Sequence, residues 1–250
     1  MTALMVGTLS LASCQDGRPI VRVMVAAGWR KPVEDHLTTL TATRGLSLRT
    51  SYAGSGQLVG AITMGQQADL FLAADASYLD DLATRQPLTG RLPIITQRAG
   101  LLIAPEAAVP TWDDLTSGRT SLSLARPETA AISRRTASEL GPTRFEELRR
   151  GARIERSNVV EAANDAARLK LTEAALVWNT TAAAYPDRRF VPLEQIEGLR
   201  TAVFGQVQLG ILSDRDDVSA LAAALVDALA EDLQTTDLQA TDLRATGRSR

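Results

Sequence analysis

Cysteine and histidine are the scarcest reactive residues of this 250-residue chain, which has one of each, Cys14 and His36. A single cysteine excludes an intrachain disulfide framework, a thiolate zinc site and an iron–sulfur cluster held by one chain. A serine–histidine–aspartate arrangement would have to use His36. That residue lies in Pro32-Val33-Glu34-Asp35-His36-Leu37, a segment typical of the first turns of a helix, so we interpret it as a solvated surface histidine. We therefore expect no enzymatic activity, no metal site and no cofactor.

Basic charge is not in excess either. The chain has 27 Lys and Arg against 29 Asp and Glu, a formal net charge of -2. Such a balance does not favour binding to nucleic acid or to an anionic membrane surface. A hydrophobic content of 45% and a charged content of 22% are typical of a soluble globular protein. The length suits one large domain or two lobes of about 100–120 residues each.

Long apolar runs are missing as well. The apolar run in residues 1–13 is too short to span a bilayer and is typical of a signal-peptide core, although no Lys or Arg precedes it. It ends in Leu11-Ala12-Ser13-Cys14, which matches the bacterial lipobox, where small residues precede a cysteine that becomes acylated. We expect residues 1–14 to be a signal peptide with a lipobox and Cys14 to be lipidated; an incidental or buried cysteine is the alternative.

Strand and helix patterns alternate along the rest of the chain. A helix is predicted from Pro32, others near 130–140, 143–150, 158–171 and 218–233, and Thr111 is positioned to cap a short helix. This order predicts an α/β fold with a mainly parallel sheet flanked by helices. Residues 237–250 are small and polar, and we expect a disordered tail there. Apolar runs predict strands at Ile20–Ala27, Leu46–Ala53, Asp69–Ala73, Leu101–Ala104, Leu122–Ala125, Ala174–Trp178 and Val203–Leu212.

Two strand-to-helix turns are rich in small and hydroxyl residues: Ala26-Ala27-Gly28-Trp29 and Tyr52-Ala53-Gly54-Ser55-Gly56. Small residues let the backbone approach a ligand, and a helix N-terminus presents unpaired N–H groups and a positive dipole end. In a parallel sheet such turns meet at the carboxyl ends of the strands. Arg30 and Lys31 at a helix start oppose the dipole by about 0.3–1 kcal/mol, which an anion between them would offset. The pattern favours a small-anion site; ordinary surface turns with solvated charges are the alternative.

The same two turns fall in two of four segments that resemble a known family, the molybdate-binding proteins of ABC transporters, which are type II periplasmic binding proteins. The resemblance implies two α/β lobes, residues 18–97 plus 203–236 and residues 98–202, with the ligand in the cleft between them. The four segments are Val23–Gly28, Tyr52–Leu58, Gly65–Asp75, and Thr111–Leu115 leading to Ala125–Glu128.

The resemblance also implies ligand positions, because the family holds its oxyanion with two serines, two backbone amides and a tyrosine. One serine falls on Ser55, whereas the other falls on Gly28, which has no hydroxyl. The tyrosine falls on Trp178, whose indole donates a hydrogen bond but cannot accept one. Trp29 and Arg30 could supply the missing contacts. The candidate ligand-binding residues are Gly28, Trp29, Arg30, Ser55, Gly56, Ala130, Val160 and Trp178.

These observations together predict a monomeric, lipid-anchored binding protein on the extracytoplasmic side of the membrane. It would capture molybdate or tungstate and deliver it to the permease of an ABC transporter. A sensor, or a binder of another small anion without a transport role, is the first alternative. A hydrolase or transferase on the same architecture is disfavoured, since no pair of nucleophile and base is evident.

Overall fold

A computed structural model describes residues 17–246, with side chains described up to residue 233. The predicted signal peptide and the predicted lipidation site, Cys14, lie outside the described residues. Among residues 17–246, none of the helices combines the length and the hydrophobicity that crossing a bilayer requires.

The described residues form nine strands and nine α-helices, with short 3-10 turns at Ala27–Trp29 and Leu193–Gln195. The strands are β1 (Ile20–Ala26), β2 (Ser47–Ala53), β3 (Leu70–Ala73), β4 (Gly90–Ile103), β5 (Leu122–Ala125), β6 (Ile154–Arg156), β7 (Ala174–Trp178), β8 (Arg189–Pro192) and β9 (Phe204–Ile211). The helices are α1 (Arg30–Thr43), α2 (Ser55–Thr63), α3 (Ser77–Ala83), α4 (Trp112–Thr116), α5 (Ala131–Leu140), α6 (Pro142–Gly151), α7 (Val159–Ala167), α8 (Asn179–Ala182) and α9 (Asp216–Thr246).

Two lobes share one long strand. The sheet of the first lobe has the order β2-β1-β3-β9-β4, in which β1, β2 and β3 are parallel and β9 is antiparallel to both neighbours. In the second lobe β5, β6 and β7 are parallel, and β4 lies antiparallel between β7 and β8. Strand β4 pairs with β9 up to Arg98 and with β7 from Ala99 onward, so it runs from one lobe into the other.

The central strands are buried on both faces. Every residue of β3, β5 and β7 is buried, as expected for near-continuous apolar strands with helices on either side. The predicted mixed α/β architecture is confirmed. Because parallel strands point the same way, the turns that follow β1, β2 and β3 meet at one edge of the first lobe, facing the second lobe.

Several elements differ from the sequence predictions: β6, β8 and α8 were not predicted, and α7 ends at Ala167 and not near residue 171. Helix α1 begins at Arg30 and not at Pro32, because the 3-10 turn Ala27–Trp29 leads directly into it. Strand β4 begins at Gly90, well before the predicted Leu101, and a break in its register between Pro93 and Ile95 accommodates the proline. The backbone of α9 continues to Thr246, through part of the segment expected to be disordered, since no glycine or proline interrupts it.

Candidate functional site

A cavity of about 20 Å³ lies between the two lobes, where the turns after the parallel strands of each lobe meet. No lysine or arginine is among its lining residues. Five of them are alanines, so backbone groups lie close to the enclosed space. The lining residues are Ala26, Ala27, Gly54, Ser55, Ala74, Ala130, Ala131, Ile132, Asn158, Val159 and Trp178.

Three helices begin at this cavity. Helix α2 comes from the first lobe, and α5 and α7 come from the second; their lengths are 9, 10 and 9 residues. The N-cap residues Gly54, Ala130 and Asn158 all line the cavity. The first-turn N–H groups of a helix have no intrahelical acceptor, and they carry the positive end of the dipole. The cavity therefore has the positive potential that an anion needs, without a cationic side chain.

Ser55 supplies a hydroxyl group at the same place. The residue is 2% exposed, and its Oγ accepts a hydrogen bond of 3.2 Å from the N–H of Ala74, which follows β3. Since that contact uses a lone pair of the oxygen, the hydroxyl proton stays available for an acceptor in the cavity. Ser55 is thus a donor held in place by the neighbouring strand-to-helix turn.

Backbone amides that the sequence singled out are already engaged. The N–H of Ala130 donates to the Arg126 carbonyl at 2.9 Å, and the N–H of Val160 donates to Oδ1 of Asn158 at 3.1 Å. Val160 itself does not line the cavity, whereas its neighbour Val159 does.

The donors at hand are instead the first-turn amides of Ala131, Ile132 and Val159, which begin α5 and α7. Sequence reasoning missed these three residues, because which amide stays free depends on the start of each helix to within one residue. It also missed Asn158, although an asparagine directly before an apolar helical run is a recognisable N-cap signal.

Glycines let the lobes approach each other closely at this site. The N–H of Gly56 donates to the carbonyl of Thr129 in the second lobe at 3.0 Å. A Cβ atom at Gly54 or Gly56 would collide with the carbonyl oxygen of Thr129 or Glu128, respectively. At Gly28 a Cβ atom would lie 3.2 Å from Cγ1 of Val159. The close contact between the lobes therefore depends on the missing side chains at these positions.

Trp178 forms one wall of the cavity. It is the last residue of β7 and is 1% exposed. The far edge of its ring lies against Gly205 of the first lobe, where a Cβ atom would lie 2.8 Å from Cη2. Its ring thus spans from the cavity to β9 and limits the volume of the cavity.

Two further candidate residues are directed elsewhere. Trp29 is buried and does not line the cavity, and its indole N–H has no hydrogen-bond partner among the described residues. Arg30 is exposed; its guanidinium lies 4.9 Å from the centre of the Tyr52 ring and pairs with Glu34 at 3.3 Å. Neither Trp29 nor Arg30 therefore lines the cavity. Ser55, Ala130 and Trp178 line the cavity, and Gly28 and Gly56 lie in the lobe-to-lobe contact beside it.

His36 lies outside the site. Its Nε2 is 2.8 Å from Oδ2 of Asp232, a contact between α1 and α9 within the first lobe. Among residues 17–246 no cluster of three or more histidine, cysteine, aspartate or glutamate residues is placed to hold a metal ion.

An arginine of the second lobe contacts two residues of the first lobe at the rim of the cleft. We call Tyr78 and Asp81 of α3 and Arg134 of α5 the rim clasp. The Arg134 guanidinium lies 2.6 Å from Oδ2 of Asp81 and 4.6 Å from the centre of the Tyr78 ring. The hydrogen bond from Arg134 holds the pKa of the Asp81 carboxyl below its usual range, while burial raises the pKa of Tyr78 to about 12. Asp81 therefore stays charged and Tyr78 neutral over the physiological pH range.

A larger surface groove, of about 830 Å³, occupies the other end of the first lobe. Arg22, Asp69 and Arg215 line it, near the start of the parallel strands β1 and β3. Its arginines are close to carboxylates: Arg215 lies 2.6 Å from Asp217 and 3.9 Å from Asp69. Because ligands of open parallel sheets bind at the carboxyl ends of the strands, the cavity in the cleft is the better candidate.

Comparison with known proteins agrees with the two-lobe α/β fold described above. A family model described as bacterial extracellular solute-binding protein matches residues 21–236. The molybdate-binding protein ModA of Escherichia coli K12 is 31% identical to the chain over 97 residues, which are 36% of this chain and 35% of that protein.

Solved structures share the fold at lower identity. The sulfate-binding protein SubI of Mycobacterium tuberculosis superimposes with a TM-score of 0.65 at 13% identity, covering 85% of this chain and 82% of its own. The periplasmic molybdate-binding protein of Azotobacter vinelandii superimposes with a TM-score of 0.60 at 17% identity, covering 84% and 97%. Both are similar in fold to the two lobes described above.

Proposed function

Because the chain belongs to the bacterial extracellular solute-binding protein family, we propose that it captures a small tetrahedral oxyanion, molybdate or tungstate, and delivers it to the permease of an ABC transporter. The observation that carries this proposal is the meeting of three helix N-termini and the Ser55 hydroxyl at one cavity without a basic side chain. A tetrahedral dianion has acceptor oxygens in four directions, and neutral donors from both lobes match that geometry.

Neutral donors also suit release. An arginine or lysine in a buried cleft would form a charge-assisted bond that strengthens retention of the anion. Amide and hydroxyl donors select the anion through their geometry. Because they come from both lobes, they bind the anion less tightly when the lobes separate. This property is suited to a protein that must hand its ligand to a partner.

Opening of the lobes is part of the proposal, because the cavity is small. A volume of about 20 Å³ accommodates about one water molecule. A four-oxygen anion therefore enters and is held only if the lobes move apart from the arrangement described here. The chain passes between the lobes twice, in β4 at Ala99 and just before β9 at Val203. These two segments lie side by side, with the N–H of Ala99 donating to the Val203 carbonyl at 2.9 Å, and they offer a hinge.

The lobe boundaries, 18–97 plus 203–236 and 98–202, are part of the proposal, and the change of partner of β4 between Arg98 and Ala99 supports them. The lipid anchor at Cys14, the monomeric state and the extracytoplasmic location complete the proposal. The anchor is supported by the lipobox sequence, and the location by the family.

Calorimetry and thermal unfolding with molybdate, tungstate, sulfate and phosphate test the proposal. A ligand at about 100 times its dissociation constant adds about 2.7 kcal/mol to the free energy of unfolding. We expect molybdate and tungstate to produce this gain, and sulfate and phosphate to produce less. Absence of any gain with all four anions would refute the proposal.

Ser55→Ala locates the site. Loss of a hydrogen bond to a charged ligand costs about 1.5–3 kcal/mol, which corresponds to a 10- to 150-fold weaker dissociation constant. Ser123→Ala is a matched control, since Ser123 is also buried but donates to Asp165 at 2.7 Å within the second lobe. It should lower the free energy of unfolding and leave anion affinity unchanged. Equal affinity of the Ser55 variant and the wild type would show that the anion binds elsewhere.

A further inference from the structure

Thr181 places a buried hydroxyl group against the backbone of Gly28, across the contact between the lobes. Thr181 lies in α8 of the second lobe and is 3% exposed. Its Oγ1 lies 2.9 Å from the position that a Cβ atom of Gly28 would occupy. The hydroxyl of Thr181 thus fills the place of the side chain that Gly28 lacks.

This hydroxyl has no hydrogen-bond partner among the described residues. Buried hydroxyl groups nearly always have a hydrogen-bond partner, because burial removes their hydrogen bonds to water and an unmade bond costs free energy. The adjacent Thr180 follows the rule and donates to Oε1 of Gln97 at 2.6 Å. The Thr181 hydroxyl therefore remains free to donate a hydrogen bond at the contact between the lobes.

The surroundings of Thr181 connect it to the cavity. Gly28 directly follows Ala27, and Thr181 comes three residues after Trp178; both Ala27 and Trp178 line the cavity. Val159, a third lining residue, has its Cγ1 3.2 Å from the same Cβ position on Gly28. The hydroxyl thus lies in the contact between the lobes beside residues that line the cavity, although Thr181 itself is not among the lining residues.

We infer that Thr181 is a ligand-binding and specificity-determining residue, whose hydroxyl donates a hydrogen bond to the bound oxyanion in place of a side chain at residue 28. The inference rests on the proposed function. An anion too large for the present cavity separates Gly28 from Thr181, and an anion oxygen then takes the place next to Oγ1. Because the hydroxyl comes from the second lobe, the bond forms only as the lobes close and contributes to closure.

Thr181→Val tests the inference, since valine keeps the shape of threonine and removes the hydroxyl. In calorimetric titration with molybdate we expect its dissociation constant to rise at least about 10-fold over wild type. Thr181→Ser restores a hydroxyl and should stay within about threefold of wild type, because the donor is retained. Thr172→Val is the matched control: Thr172 is also buried with an unpartnered hydroxyl, but it precedes β7, at the opposite end of that strand from Trp178, and contributes none of the atoms next to Gly28.

Unfolding measurements without ligand separate a binding role from a structural one. Neither valine variant should lower the free energy of unfolding, since each replaces an unsatisfied hydroxyl by a methyl group. Wild-type affinity in Thr181→Val, or equal weakening in both valine variants, would overturn the inference and leave the proposed function standing. Failure of the wild type to bind any of the four anions would overturn both.

Discussion

Removing the cation of the rim clasp should shift the protein towards its open form. Arg134→Met keeps the length of the side chain while abolishing its ion pair with Asp81 and its stacking on Tyr78. The two charged side chains are 36% and 42% exposed, so the ion pair contributes about 0.2–1 kcal/mol. The stacking contributes about another 0.5–1 kcal/mol at a partly exposed site. Closure therefore loses about 0.7–2 kcal/mol, and the ratio of closed to open molecules falls about 3- to 30-fold.

The anion needs the lobes to separate only slightly, a movement over which the long Arg134 side chain can keep its ion pair with Asp81. The loss of this pair should therefore appear as weaker anion binding, because the apparent dissociation constant scales inversely with the fraction of binding-competent molecules. We expect calorimetry with molybdate to show a rise of up to about 30-fold, and small-angle scattering to show a larger radius of gyration. The difference in dissociation constant between Arg134→Met and the wild type should shrink in about 0.5–1 M salt, because exposed charges are then screened over a distance of about 3–4 Å.

Arg119→Met provides the matched control for Arg134→Met. Arg119 forms an ion pair of 2.9 Å with Asp114, but both residues belong to the second lobe, so closure does not involve them. This variant should bind anion like the wild type. If Arg134→Met at low salt also matched the wild type in both affinity and scattering, the view that the rim clasp favours closure would have to be abandoned.

Two other changes probe closure and stability. The Cβ atom of Gly56→Ala would collide with the Glu128 carbonyl, so this variant should lose tight anion binding. A Cβ atom at Gly60, in the same helix, meets nothing within 4 Å, so Gly60→Ala should bind the anion like the wild type. Equal affinities of the two variants in calorimetry would contradict the conclusion that the close contact of the lobes requires a glycine at residue 56. Burial would raise the pKa of Asp165, but hydrogen bonds from Arg156 and Ser123 outweigh it and hold the pKa below its usual range. Its contribution to stability is therefore present above about pH 4 and lost as the pH falls further. Asp165→Asn should flatten the acid limb of the stability curve, measured by denaturant unfolding between about pH 5 and 2, and an unchanged limb would refute the assignment.

The buried parallel strands were the most predictable part of the fold. β5 and β7 have the predicted bounds, because short apolar runs between turn signals have no competing pattern. Thr111 caps α4 as predicted: its Oγ1 accepts from the Asp114 N–H at 3.2 Å. The first half of β4 was not predictable, since Pro93 and several polar residues obscure it and only pairing with β9 makes it a strand.

The site was predictable as a place but not in its details. The small-residue turns around Gly28 and Ser55 indicated which strand ends face the ligand, since that depends on local sequence. Which amide remains free depends on helix starts to within one residue, and the displacement from Ala130 to Ala131 follows from the N-cap position of Ala130. The approach of Thr181 to Gly28 joins residues 153 positions apart, and no local pattern encodes it.

The position of β9 in the first sheet has a consequence for the order of folding. β9, the last strand among the described residues, lies inside that sheet, between β3 and β4. The strands of the second lobe, from Ala99 to Pro192, are complete in sequence before β9 is synthesised. Until β9 arrives, β3 and β4 keep facing edges without partners, and closing such a long-range pairing is slow. A chain synthesised from its N-terminus therefore cannot complete the first lobe until β9 has been made. Before that point the first lobe stays incompletely folded and accessible to chaperones, or to transport machinery that requires an unfolded substrate.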